Sequence, residues 1–229
     1  MKKKRLLISI ILTSITAIFL CIAIPFSILA IRTGSLENDY SYLKSDEKYS
    51  RKVEIEEIQL VKQHISCGYA TIEMMSSYYG NKVTEDDLSN KNNGNITTSS
   101  SLGFLNEINK SITGSNFVMN SYMKNDKFLK TIFEALQNNN PVAIEWAAKL
   151  EDEWTLHFSV VKALDIGKNN VTILNPYGYV EELTIEEFLN RTSFNAYKNM
   201  PLFLNFGFAF GAFDKNVVFY REGSHIVIT

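Results

Sequence analysis

The hydrophobic pattern splits the chain into two unlike parts. From Leu6 to Ile31 there is no charged residue, and 26 apolar or small polar positions follow one another without a break. At about 1.5 Å per helical residue such a run exceeds the roughly 30 Å of a bilayer's hydrocarbon core, so a membrane helix is predicted over 6–31. Residues 32–51 are polar and charged, with Gly34 and several serines, and read as an exposed tether. A single folded domain is predicted over 52–229. Within it, Tyr69, Ile72, Met75 and Tyr79 recur at three- and four-residue spacing and Gly80 follows, which predicts a helix from Cys67 to Tyr79. Thr84 ahead of Glu85, Asp86 and Asp87 starts a short second helix, Thr98 or Ser99 caps a third through about Asn109, and a fourth covers Asp126 to Gln137. The period then changes. Pro141–Trp146, Leu156–Leu164, Val171–Asn175 and Tyr179–Leu183 are short runs rich in Val and Ile, separated by turn residues, and read as strands. Thr184 and Glu187 have the spacing of a capping box, predicting a helix through about Leu189, and Pro201–Thr229 reads as a closing pair of strands with a turn at Asp214, Lys215 and Asn216. Helices first and an antiparallel sheet later is an α+β layout.

Charge and composition narrow the picture. Lys2, Lys3, Lys4 and Arg5 precede the apolar run, a bias that holds the N-terminus in the cytoplasm and puts the domain on the outer side of the cell membrane. The run is longer than the roughly 7–15 apolar residues of a signal peptide, so a signal-anchor is expected; secretion after cleavage is the alternative. A formal net charge of -2 shows no basic excess, which argues against a nucleic-acid partner. Of the two cysteines, Cys21 lies in the apolar run, so Cys67 is the one thiol of the domain and has no intradomain disulfide partner. With no second thiol there and no clustered carboxylate–histidine spacing, neither a metal nor another cofactor is called for.

The candidate chemistry begins at QHISCGYATIEMMSSYYG, starting at Gln63. A cysteine at a helix N-terminus meets unpaired backbone N–H groups and the positive end of the peptide dipoles, both of which favour a thiolate; a neighbouring imidazolium adds to this. The backbone N–H of Cys67, with a glutamine amide just upstream, forms a candidate oxyanion hole, and Gln63 is that glutamine. Farther along, LHFSVVKALD and VTILNPYG carry His157 and Asn175 on strands joined by the short turn Gly167–Asn170. An imidazole abstracts a thiol proton only when its ring is held in the right tautomer, and an Asn side-chain oxygen can hold it. Asn175 before Pro176 is equally suited to start a turn, and His64, beside Gln63, reads as an exposed loop residue. His225 reads as an edge-strand residue. Glu151, Asp152 and Glu153 read as a solvated loop, and Trp146 and Trp154 as packing residues or cleft walls.

The order Gln63, Cys67-Gly68, His157, Asn175-Pro176, with the helix closing in Tyr78-Tyr79-Gly80, resembles the peptidase C39-like branch of the papain-like cysteine peptidases. The resemblance implies a papain-like fold, metal-free thiol catalysis and a peptide or amide substrate. Family members fused to ABC exporters cut leader peptides after double glycine, but this chain shows no Walker-type glycine loop, and that substrate is not carried over. Two residues depart from the pattern: Gln63 stands closer to Cys67 than the family's glutamine does, and Asn175 takes the place commonly held by Asp. Three readings follow. The first is an outward-facing thiol peptidase, the second an acyltransferase on the same fold, and the third a catalytically inactive peptide-binding module.

Overall fold

The computed structural model describes residues 2–223. The elements are helices α1 (Lys2–Thr33), α2 (Cys67–Tyr78), α3 (Glu85–Lys91), α4 (Ser101–Ser111), α5 (Asn125–Gln137), α6 (Ile185–Thr192) and α7 (Leu202–Phe210). The strands are β1 (Lys52–Glu54), β2 (Phe117–Asn120), β3 (Val142–Leu150), β4 (Glu153–Asp165), β5 (Asn170–Asn175), β6 (Tyr179–Thr184) and β7 (Val217–Arg221). Hydroxyl caps start several helices, each satisfying an N–H that would have no partner in the first turn. Ser66 accepts from the Tyr69 N–H, Ser100 from Gly103, Thr184 from Glu187, and Thr84 forms a full capping box with Asp87.

Among the described residues the strands form one antiparallel sheet in the order β2-β7-β3-β4-β5-β6, with β1 added alongside β4. The central hairpin β3–β4 pairs Trp146 with His157 and Glu145 with Phe158, and because strand side chains alternate, these two pairs point to opposite faces. The Glu145–Phe158 face packs against the N-terminal helices, with Phe104 of α4 stacked on Phe158 at 4.4 Å between ring centroids. The other face carries the His157–Asn175 side chains and Arg191 of α6, whose guanidinium lies over the Trp146 ring. The result is the α+β arrangement expected of the sequence, a helical half with a cysteine at a helix start laid against an antiparallel sheet.

Three differences from the sequence-based expectation have physical causes. Residues 32–51 are not a free tether: Leu36 and Leu43 are buried, and Leu43 is 0% exposed within the main core. A polar segment is read as solvated because most of its side chains are; the two leucines that anchor it have no periodic partners in sequence. The segment Pro201–Thr229, expected as two strands, opens instead with α7 and contributes only β7 among the described residues. Its Phe-rich run favours strand locally, but Gly207 lets Phe213 approach so closely that a Cβ there would stand 2.3 Å from the ring, and Gly211 ends the helix at φ 75. The C-terminal part of that expected pair, with His225, lies outside the described residues. β3 and β4 also run on to Leu150 and from Glu153, past their predicted ends, because the hairpin pairing continues to its tip.

Leu43→Ala is expected to lower stability by about 2–5 kcal/mol, the range for truncating a fully buried leucine, measured by denaturant unfolding of the full chain; a solvated tether would give a change near zero.

Candidate active site

Cys67 is the first residue of α2, and the loop before it is held by one buried carboxylate. Glu85, 0% exposed, accepts the backbone N–H groups of His64 at 3.0 Å and of Ile65 and Ser66 at 2.9 Å each. Three donors on one carboxylate fix the path of the chain into the helix. His64 is exposed, as expected, yet its ring lies 3.1 Å from both Glu85 and Asp86, and these partners raise its pKa, the hydrogen bond to Asp86 most. Gly68 is required by packing: a Cβ there would fall 2.2 Å from the Thr98 hydroxyl. The backbone N–H of Gln63 donates to the Pro176 carbonyl at 2.8 Å, which ties the cysteine loop to the end of β5.

The imidazole is fixed with equal economy of parts. His157 is buried in β4, its Nε2 3.0 Å from Asn175 Oδ1. The same Oδ1 accepts the Tyr177 backbone N–H at 3.0 Å, and Asn175 Nδ2 donates to Glu181 Oε2 at 2.9 Å. These two contacts allow only one orientation of the amide, since a flipped Asn would set an NH2 against an N–H and an oxygen against a carboxylate. With Oδ1 an acceptor, His157 Nε2 carries the proton and Nδ1 is left as a base. Arg191 holds Glu181 at 2.7 Å, and the Tyr177 ring stacks on the imidazole at 4.1 Å. Tyr177, Glu181 and Arg191 were not singled out from sequence; their position is set by the β5–β6 turn and by α6, which no local motif reveals.

The sulfur of Cys67 lies against the strand that bears His157. Backbone N–H groups of Phe158, Gly68 and Cys67 itself approach it and favour ionisation, but burial outweighs them and pushes the thiol pKa up. Burial also lowers the His157 pKa to about 4, against a smaller opposing effect of Asn175. Burial thus acts against the expected low-pKa thiolate: desolvation disfavours both charges, pushing the thiol pKa up and the imidazole pKa down. Beneath the cysteine, on the opposite face of the sheet from His157, Glu145 is fully buried; Ser101 donates to one of its oxygens at 2.5 Å and the other has no partner. Burial, with nearby Asp214, raises its pKa to about 8, and whatever charge it carries adds to the upward push on the Cys67 thiol.

Of the four residues singled out from sequence, the fold joins His157 to Asn175 directly, brings Cys67 against the neighbouring backbone of Phe158, and sets Gln63 beside Pro176 through its main chain. The side-chain oxygen of Gln63 is buried without a partner. Trp146 packs beside the site, donating to Ser159 at 3.0 Å, and Glu151, Asp152 and Glu153 form an exposed hairpin tip.

The profile of the Peptidase_C39 like family matches residues 55–201, a span that includes all four of these positions. The chain belongs to this family. Among solved structures of similar shape is a double glycine motif protease from an AMS/PCAT transporter in complex with the leader peptide; it is 16% identical, with a TM-score of 0.49, over 74% of this chain and 94% of that one. No curated protein matches the chain. Family membership makes a papain-like peptidase the coarse identity of the C39-like chain.

Two outcomes test the electrostatics. Because the folded pKa of Glu145 lies above its ordinary value of 4.5, its contribution to stability is complete below pH 4.5 and is lost as pH rises toward about 8. Glu145→Gln is expected to remove that decline, measured as the difference in unfolding free energy between variant and parent from pH 4.5 to 8. In a second experiment, nitrogen-15 NMR of labelled His157 is expected to show the Nε2–H tautomer, with Glu181→Leu giving a mixture of tautomers and Glu181→Gln, which keeps an acceptor, retaining the parent spectrum.

Proposed function

We propose that this member of the C39-like family is a thiol-dependent peptidase acting on peptides at the outer side of the membrane. The observation that carries this reading is the locked chain Glu181–Asn175–His157, which leaves a neutral imidazole with its Nδ1 lone pair free on the strand that abuts Cys67. In the proposed reaction Nδ1 takes the thiol proton as sulfur bonds to the scissile carbonyl carbon, so no resting thiolate is required. The backbone N–H of Cys67 and the side-chain amide of Gln63 stabilise the oxyanion. Collapse breaks the C–N bond, and the imidazolium returns its proton to the leaving amine. Water then attacks the thioester, giving one proton to Nδ1 on attack, and that proton passes to the departing sulfur; the acid product and free thiol result. Asn175 keeps the ring in register and, being neutral, shifts no charge balance.

Supporting the membrane part of the reading, α1 is long and apolar enough to cross a bilayer, and the basic residues Lys2 to Arg5 lie at its start. This retains the domain beside the membrane on the outer face.

The test is turnover of a fluorogenic peptide library by the full chain in detergent. Cys67→Ala and His157→Ala are each expected to abolish cleavage, and Asn175→Ala to slow it by about 10-fold or more through loss of the ring's orientation. Alkylation of Cys67 by iodoacetamide is expected to keep rising above pH 8, the behaviour of a thiol with a raised pKa; a rate already level between pH 5 and 7 means a resting ion pair instead. Turnover that survives Cys67→Ala removes the peptidase reading.

A further inference from the structure

The helix α7, Leu202–Phe210, carries no charged residue and a single polar side chain, the half-buried Asn205. Its inner side, Leu204 and Phe208, is buried with Ala147 of β3 and Phe194, and Trp154 and Leu156 of β4 pack against the same cluster. Its outer side is also apolar and is uncovered: Leu202 is 59% exposed, Phe203 66% and Phe210 68%. Phe203, Phe206 and Phe210 recur at helical spacing and form one stripe, with Phe206 stacked on Phe210 at 6.4 Å. A helix apolar on its inner and outer sides alike belongs where little water reaches either, yet protein covers only one of these two sides.

What lies next to the stripe identifies its occupant. α7 packs on the last turns of α1: Phe26 meets Phe206 edge-on at 5.7 Å, Leu29 joins the α7 cluster, and Arg32 donates to the Phe208 carbonyl at 3.3 Å. The uncharged run of α1 measures about 39 Å at 1.5 Å per residue, against roughly 30 Å of hydrocarbon, so a bilayer that begins at Leu6 ends close to Pro25. The contact with α7 therefore falls at the headgroup level, where interfacial helices lie with one apolar face sunk about 5–10 Å. The polar groups at this end, Arg32 and the Tyr122 hydroxyl on the Phe208 carbonyl and Lys215 over the Phe208 ring, are those that tolerate that boundary.

We propose that α7 is a second membrane element, an interfacial helix whose Leu202–Phe203–Phe206–Phe210 face sits in the headgroup–acyl boundary beside the end of α1. This rests on the reading of α1 as a retained membrane helix. The docking holds the domain at a fixed tilt. Leu156 of β4 packs in the α7 cluster, so the docking fixes the height of this strand, and with it the domain, above the bilayer surface.

The test uses the full chain in phosphatidylcholine nanodiscs, with Cys21→Ser and Cys67→Ser as background and one nitroxide-labelled cysteine at a time. The labelled variants are Phe203→Cys, Phe210→Cys, Ile15→Cys in mid-span, and Lys168→Cys in the turn at the far end of β4. All four parent side chains are exposed, so labelling does not disturb the core. The expected result is an oxygen-to-nickel-chelate accessibility ratio at 203 and 210 several-fold above that at 168 and approaching that at 15. A water-like ratio at 203 and 210 with a lipid-like ratio at 15 overturns the proposal and leaves the anchor intact. A water-like ratio at 15 removes the anchor reading and the proposal with it. Dipolar broadening at 203 or 210 that persists as the lipid-to-protein ratio is raised assigns the stripe to a second copy of the chain, which also overturns it.

Discussion

The hydrogen bond from His157 to Asn175 is the constraint on which the geometry of the candidate site turns, and its direction is set outside the pair. An amide can face an imidazole with either end, and a ring can carry its proton on either nitrogen; four combinations exist, and one of them puts the proton on Nε2 and leaves Nδ1 as the base. The Tyr177 N–H and the Glu181 carboxylate select that one by accepting no other pattern of donors and acceptors. Arg191 in turn holds Glu181 in place at 2.7 Å, so a residue on α6 governs a tautomer on β4. The neutral Asn in the position commonly held by Asp is thus backed by a carboxylate one step farther out.

A second constraint acts on the cysteine side. A loop leading into a helix is the part of a chain most free to move, and Glu85 removes that freedom by taking three consecutive N–H groups. The low dielectric that strengthens these bonds has the opposite effect on free charges, raising the thiol pKa and lowering that of the imidazole. Burial thus favours the neutral form of each group, and under the proposed mechanism the proton is transferred at the moment of attack.

The two ends of the domain's chain bear on its surroundings. Residues 32–51 pack through Leu36 and Leu43, so little slack separates the sheet from α1, and α7 contacts the last turns of that helix directly. Under the proposed membrane docking, the β3–β4 hairpin does not sample the volume around a flexible tether; it is held at one height above the lipid.

Local patterns in the sequence determined a great deal. A 26-residue uncharged run, a cysteine heading a three-four repeat, hydroxyl caps at Thr84 and Thr184, and a change of period near Pro141 each depend on neighbours within a few positions, and the elements they predict are present. His157 and Asn175 could be set on adjoining strands because only a short turn separates those strands. Tertiary structure alone decided what depends on distant partners. The helix at Leu202–Phe210 forms against α1, far away in the chain, in spite of a strand-like composition. Glu85 appeared as one more acidic residue in a helix's first turn until the fold laid the cysteine loop across it. The pKa shifts of His157 and Glu145 follow from how completely each is shielded from water, and desolvation is a property of the assembled core that no stretch of sequence carries.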